Sequence, residues 1–285
     1  MPVTNMAGEL GILESWVKKS CNLNLEIVIV HDIQDSNTGI ELDEFFKTLD
    51  KHKITFIEKA VGSPGLARNL GINEATGQWI TFWDSDDLPN VEEVMKSIDE
   101  NPNCEVIVGR YKIQDRVSGL ETSSRISRLN YRSIGENPGL WRMVFRNDVL
   151  EGVRFNSIRM AEDQVFLSQL NLKNRQVAFT ERFLYTYFTG RKAQLTQSII
   201  NINDLLIAFD QLLLSHRKFE NEKKSLSLMM AARILLTLVK NFQLKGILEL
   251  KKKLKLLDRK ITTIELIILL ANINRIILRK ISNEN

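Results

Sequence analysis

Three carboxylates stand within four positions at Asp84-Ser-Asp86-Asp87, directly after the run Trp79-Ile-Thr-Phe-Trp83. Aromatic and β-branched residues of that kind favour a buried strand, so the acids fall where the strand runs out. Open α/β sheets gather their ligands at the carboxyl ends of strands. Asp84 and Asp86 are two apart, and a turn there can aim both at one cation. Hard oxygen ligands of this type suit Mg2+ or Mn2+. The same spacing also fits an acidic turn that keeps a strand end wet. A second acidic pair, Glu162-Asp163, opens the segment Ala161-Glu-Asp-Gln-Val-Phe-Leu167, where the helix dipole favours negative charge in the first turn. His31, His52 and His216 show no ligand spacing and read as structural or solvated. The glycines of Gly62-Ser-Pro-Gly65 do not fit GxGxxG, which argues against a nicotinamide enzyme.

The elements that must position these residues follow from the apolar pattern. Gly8–Ser20 reads as an amphipathic helix with Leu10, Leu13, Trp16 and Val17 on one side. Leu25-Glu-Ile-Val-Ile-Val-His31 is a near-continuous apolar run, the pattern of a central parallel strand. A polar loop to Gly39, a helix over Glu41–Leu49 and a strand over Ile54–Glu58 come next. From Gly65 a helix follows, with Leu66, Leu70 and Ile72 as its apolar stripe and Gly77 placed to end it. Pro89–Asn101 adds a helix and Cys104–Ile113 a strand. This alternation predicts a doubly wound α/β half over residues 1–115. Beyond it, Arg116–Asn137 reads as a polar loop with four arginines, Leu140–Arg146 as a strand and Asn147–Leu150 as a short helix. Val153–Asn156 reads as extended, 161–174 as a helix and Val177–Tyr187 as a strand pair. From Asn203 onward only helices are expected, with breaks near Asn221 and Gly246.

The chain of 285 residues, 44% hydrophobic and 26% charged, is long enough for a substantial core and globular in composition. Cys21 and Cys104 have neither metal-like spacing nor the look of an oxidised framework, so a reducing cytoplasm is expected. No signal peptide is visible in Met1–Asn24, and no apolar stretch reaches the roughly 18 residues of a membrane span. The net charge of +4 is unevenly spread: residues 1–200 hold 23 Lys+Arg against 27 Asp+Glu, and residues 201–285 hold 16 against 8.

The motifs taken in order are Pro2-Val-Thr-Asn5, Ile27-Val-Ile-Val-His-Asp32, Gly65-Leu-Ala-Arg-Asn-Leu-Gly71 with Ala75-Thr-Gly77, and Phe82-Trp-Asp-Ser-Asp-Asp87. Trp141-Arg-Met-Val-Phe-Arg146, Phe155, Ala161-Glu-Asp163 and Leu184-Tyr-Thr-Tyr187 follow. In this order and spacing the first 200 residues resemble a bacterial family 2 glycosyltransferase of the GT-A fold. The resemblance implies a GT-A-type, nucleotide-sugar-binding, doubly wound mixed sheet over 1–200, with a nucleotide-binding half (1–115) and an acceptor half (116–200). A basic helical region (201–285) follows. It implies that Pro2, Asp32, Arg68 and Asp84 bind the donor, Asp32 through uracil, and that Asp84 and Asp86 make a DXD motif holding Mn2+ or Mg2+. Asp163 becomes the general base of an inverting transfer, and Trp141 lines the sugar pocket. The family usually has an acid and a glycine where His31 and Ile33 stand. The implied partners are a nucleotide-sugar donor, expected to be a UDP-sugar, and a glycan or lipid-linked acceptor of bacterial surface polysaccharide, not a nucleic acid. A sugar nucleotidyltransferase and a nucleotide-sugar-binding protein without turnover are the alternatives; no glycine- and lysine-rich triphosphate loop follows the first strand.

Two further expectations concern the ends. Ile247, Leu250, Leu254, Leu257, Ile261, Ile264 and Ile268 recur at spacings of three and four, an apolar seam flanked by Lys251, Lys252, Lys253, Lys255, Arg259 and Lys260. The seam has three readings: packing on the preceding helices, contact with an anionic membrane at its inner face, or pairing of protomers through the C-terminal helices. At the other end, Pro2–Asn5 looks like the exit of a first strand preceded here by Met1 alone, so either the functional start is expected upstream or this form is expected to be poorly active.

Overall fold

The computed structural model describes residues 1–20, 22–49, 54–124, 126, 128–190, 201–220, 225–240 and 261–284. Cys21, His52, the breaks near Asn221 and Gly246, and the seam from Ile247 to Leu257 with its flanking lysines lie outside the described residues. The chain divides into two compact units. The first comprises 1–129, 139–157 and 175–199; the second comprises 130–138, 158–174 and 200–285. Two stretches of the first 200 residues, 130–138 and 158–174, therefore group with the helical remainder.

In the first unit β1 (Pro2–Val3), β2 (Ile27–Asp32) and β3 (Ile54–Lys59) form a parallel sheet in that order. Pro2 lies opposite Val30 and Val3 opposite His31, and the Met1 amino group donates to the Val28 carbonyl at 2.7 Å. The connecting helices are α1 (Gly11–Ser20), α2 (Ser36–Lys47) and α3 (Pro64–Glu74). A mixed sheet follows: β4 (Trp79–Thr81), β5 (Leu88–Pro89), β6 (Val106–Asp115), β7 (Glu121–Ser123), β8 (Met143–Arg146) and β9 (Val177–Thr189), with α4 (Val91–Glu100) between β5 and β6. Its order is β4-β8-β6-β9-β5, with β7 paired to β6. β6 and β9 run parallel and the other pairs antiparallel. One apolar cluster, including Val3, Leu13, Ile29, Phe45, Trp83, Ile107 and Leu184, serves both sheets. The loop after β1 is tied to α2, since Met6 N donates to Thr38 Oγ1 at 2.9 Å and Gly8 N to the Glu41 carboxylate.

Several expectations shift for identifiable reasons. The polar loop before Gly39 is already helix, because the Asp35 side chain caps α2 by accepting from Thr38 N. Gly77 does not end α3: Ala75 turns extended (φ −69, ψ 127), and the Glu26 carboxylate collects the amides of Thr76 and Gly77. The loop over 116–137 contains β7, folded back on β6 by Asp115, whose Oδ1 accepts from Val117 N and Ser118 N. Leu140–Arg142 is a 3-10 turn, leaving β8 four residues long. Val177–Tyr187 is one long strand, not a pair. Its polar middle, which looks like a turn, coincides with register shifts against β6, and Arg182 there pairs with Glu93 and Glu100 on α4.

The second unit is helical: α5 (Tyr131–Glu136), α6 (Glu162–Gln169), α7 (Ile202–Ser215), α8 (Leu226–Lys240) and α9 (Thr263–Glu284). α8 packs on α5, α7 and α9, and α6 on α7. Phe166, Phe209, Leu212, Met230 and Leu238 are buried. The carbonyl end of α5 is held by the Arg233 guanidinium, which donates to the Glu136 carbonyl. A side chain at Gly135 would meet the Met229 sulfur at 2.7 Å, so a larger residue there would have to displace the Met229 side chain of α8. The described end of the seam turns inward, with Ile268 buried.

Candidate active site

The acidic turn is presented by aromatic packing just before it. Phe82 lies against Phe145 and Phe155, and Trp83 meets Trp16 edge-on at 5.6 Å. With those rings fixed in the core, Asp84 is the first residue that can reach solvent. Its backbone N–H donates to the Tyr185 hydroxyl at 3.1 Å. That hydroxyl donates in turn to Asp87 Oδ2 at 3.0 Å, while Asp87 Oδ1 accepts from Phe188 N at 2.7 Å. The Arg116 guanidinium donates to the Asp86 carbonyl and packs over Phe188. β9 therefore staples the turn from beneath. Asp87 is turned inward and buried, and Asp84 and Asp86 are left half-buried.

This arrangement sets the charges. Burial pushes Asp84 above the usual carboxylate range against the pull of Arg68, and Asp86 adds to the rise. Asp87 is raised to about 8, by burial first and then by Asp84 and Asp86. Burial and the Asp87 carboxylate push the Tyr185 phenol well above its ordinary value, so it remains a hydroxyl donor. Asp84 and Asp87 are thus both shifted towards the protonated form, by burial first.

Of the expected donor-binding residues, Arg68 and Asp84 meet directly, Nη2 to Oδ1 at 2.8 Å. α3 carries Arg68 into place. Ser63 caps its start, accepting from Leu66 N, and Asn69 clasps Phe155 through both backbone groups at 2.8 Å each. The Phe155 ring lies beneath the guanidinium, 5.5 Å from its carbon. Asp32, at the end of β2, accepts from Gly62 N at 2.8 Å and so ties β2 to the loop before α3. Pro2 sits on the neighbouring strand opposite Val30. His31 is buried. Its Nε2 donates to the Asp35 carbonyl at 2.9 Å, and its ring lies where a side chain at Gly39 would have to be, a packing role. Trp141 stacks on Tyr185 and Tyr187 and meets Tyr111 edge-on.

Asp163 belongs to the second unit. It is half-buried in the first turn of α6, where its Oδ1 accepts from Gln164 N at 2.7 Å, just after Ala161 in the left-handed region at φ 62. Sequence reasoning missed Tyr185 and the inward role of Asp87. The only signals were the third acid of the run and the alternation Leu184-Tyr-Thr-Tyr187, and neither names its partner. Among the described residues no three His, Cys, Asp or Glu side chains cluster to hold a metal by themselves.

Comparison with known proteins places this geometry. Residues 1–161, more than half the chain, match Glycosyl transferase family 2. The chain therefore belongs to family 2 of the glycosyltransferases, and Asp163 lies just past the matched residues. It is 26% identical over 209 residues to the glycosyltransferase GlyA of Streptococcus pneumoniae, covering 66% of this chain and 30% of GlyA. It is also 26% identical over 182 residues to TarS of Staphylococcus aureus, a poly(ribitol-phosphate) β-N-acetylglucosaminyltransferase, covering 59% of this chain and 31% of TarS. The chain thus spans about a third of these two relatives. With WfgD of Escherichia coli, a UDP-Glc:α-D-GlcNAc-diphosphoundecaprenol β-1,3-glucosyltransferase, identity is 26% over 207 residues, covering 71% of this chain and 78% of WfgD. Among solved structures, TarS 1–349 in complex with UDP-GlcNAc superposes with a TM-score of 0.64 at 17% identity, covering 82% of this chain and 70% of that one. A mannosyltransferase from Pyrobaculum calidifontis, in complex with GDP-Man and Mn2+, gives 0.54 at 15% identity, covering 98% and 86%. The fold is the α/β GT-A fold with helices at its C-terminal end.

Proposed function

We propose that this chain transfers a sugar from a UDP-sugar to a hydroxyl of a glycan or lipid-linked acceptor, with inversion, in bacterial surface polysaccharide synthesis. The observation that carries the reading is the stapled turn at the end of β4 that holds Asp84, paired with Arg68, two residues from Asp86. In the transfer, the bond between the anomeric carbon and the diphosphate oxygen breaks. The departing nucleoside diphosphate keeps the electron pair, a bond to the acceptor oxygen forms, and the acceptor's proton passes to a base. One such displacement inverts the anomeric carbon.

Roles follow from chemistry and position. Asp84 and Asp86 fit a Mg2+ or Mn2+ ion shared with the donor, since two carboxylates completed by substrate phosphates is a usual way to hold such an ion. Bound there, the ion supplies positive charge to the leaving diphosphate. The donor set itself, two carboxylates two positions apart on one stapled turn, supports this fit. Arg68 and Asp32 hold the nucleoside side, with Pro2 contributing backbone beneath it. Asp163 is assigned as the base, a carboxylate at the head of a helix. Among the described residues no helix is long and apolar enough to cross a membrane. The excess of Lys+Arg over Asp+Glu in residues 201–285, 16 against 8, favours work on the cytoplasmic side beside an anionic lipid surface.

The test is release of nucleoside diphosphate from a panel of nucleotide-sugars, with and without Mn2+. Metal-dependent turnover of a UDP-sugar is the expected result. Pyrophosphate release from a nucleoside triphosphate and a sugar phosphate would overturn it in favour of a nucleotidyltransferase. UDP binding without any turnover would leave a binding protein.

A further inference from the structure

The contact of Arg68 with Asp84, at 2.8 Å, fixes the tip of the arginine but not the plane of its guanidinium. That plane lies over the Phe155 ring, whose centre is 5.5 Å from the guanidinium carbon. At such a distance the face of a ring attracts a cation, and more strongly where water is excluded. Here it largely is, with the Arg68 side chain 10% exposed and Phe155 3%. Phe155 stands in irregular chain, so neither strand nor helix sets its position. α3 does so instead. Asn69, the residue after Arg68, donates its amide to the Phe155 carbonyl and accepts the Phe155 N–H, both at 2.8 Å. One turn along α3, Asn73 Oδ1 accepts from the Arg154 guanidinium at 3.1 Å, and Arg154 also donates to the carbonyls of Leu150 and Val153. From another side the Phe82 ring meets Phe155 edge-on at 5.3 Å, two residues before Asp84.

A buried phenylalanine in a loop is ordinarily core, and core requires only volume and apolarity. Two features here go further. Both backbone groups of Phe155 are held by one side chain, and that side chain is the neighbour of the arginine the ring supports. Consecutive residues of one helix thus keep ring and guanidinium in register. The ring also touches Phe82, in the run that ends at Asp84, so it is fixed against both members of the Arg68–Asp84 pair.

From this we propose that Phe155 is a positioning residue of the donor site, clasped by Asn69, whose ring face holds the Arg68 guanidinium ready for the nucleoside side of the donor. A guanidinium oriented in advance loses less freedom when the donor arrives. The inference rests on the reading that Arg68 binds the donor, and it adds the residue that prepares Arg68 to do so. Its consequence is that the charge on the ring face matters, beyond the bulk of the ring.

The probe is UDP with Mn2+, titrated calorimetrically into the full chain. Replacing Phe155 by a trifluorinated phenylalanine keeps the ring's shape and strips its face of negative charge. UDP affinity should fall about 5–30-fold, the loss of a desolvated cation–π contact, and a monofluorinated ring should give an intermediate value. In an Arg68→Met background the fluorinated ring should cost nothing further, because no charge then stands over it. Phe155→Leu should weaken UDP binding by a similar factor and lower the melting temperature as well. If that variant fails to fold, the fluorinated rings still decide. Equal UDP affinity for the plain and trifluorinated rings would overturn the inference and leave Phe155 as core. So would the same loss in both the Arg68 and the Arg68→Met backgrounds. A wild-type chain that binds no UDP would overturn the donor reading and the inference with it. That failure shows in the unmodified chain, and so is distinct from the first two.

Discussion

The acidic turn after β4 and the acidic start of α6 carry the same kind of side chain under different constraints. At the turn, Asp84 is held by Arg68 and by Tyr185, and Asp87 by Tyr185 and Phe188, groups drawn from α3 and β9. At α6, Asp163 accepts from the amide of its own neighbour, Gln164. The first set is a tertiary construction; the second contact is local. A carboxylate held by distant elements is bound up with the fold, whereas a contact to the next residue's amide is kept by an isosteric change, because an amide oxygen still accepts. The same side chain can therefore report on stability in one place and on chemistry in the other.

Four variants break or sharpen that contrast. The largest effect is expected from Asp163→Asn, which keeps the local geometry but cannot take a proton. Turnover should fall about 10²–10⁴-fold, with UDP-sugar affinity and melting temperature unchanged by calorimetry. If Glu162→Gln is the dead variant and Asp163→Asn is active, the two roles are exchanged. Asp86→Ala should abolish Mn2+-dependent UDP binding in titration calorimetry and leave the melt of the apo protein nearly unchanged. Arg116 donates to the Asp86 backbone carbonyl, which alanine retains. Metal-dependent binding that survives in this variant would remove Asp86 from the site.

Asp87→Ala should behave in the opposite way. It deprives the buried Tyr185 hydroxyl and the Phe188 amide of their acceptor, at about 2–4 kcal/mol in urea unfolding. Equal stability would show that β9 does not staple the turn. The smallest effect concerns Glu265 in the second unit. Burial alone would raise its pKa, but the Arg217 ion pair and the Thr262 amide outweigh burial and lower it from 4.5 to about 2. The unfolded chain then binds more protons than the native one between those values. This group's contribution is present above about pH 4.5 and lost as pH falls towards 2. Glu265→Gln should cost about 1–2 kcal/mol at neutral pH, because Arg217 keeps some solvent. It should also flatten the acid limb of the stability curve. An unchanged limb would mean that the pair does not anchor α9.

Much of this was legible along the chain. The apolar run into Asp32, the aromatic run into Asp84 and the Ser63-Pro64 start of α3 are local signals, because period and capping depend on near neighbours. They located β2, β4, α3 and the acids at the strand ends. Other features needed partners far away in sequence. The stretch over 116–137 looks like a loop because β7 has only three residues and is a strand by virtue of pairing with β6. β9 looks like two strands because Glu181 and Arg182 are polar, and the carboxylates that pair with Arg182 lie on α4. Asp84, Asp86 and Asp87 are equivalent as a string of letters. What turns Asp87 inward is the hydroxyl of a tyrosine 98 positions away and an amide 101 positions away. Local chemistry determined that acids gather at the end of β4; only the packing of β9 beneath them decided which acid is turned into the fold.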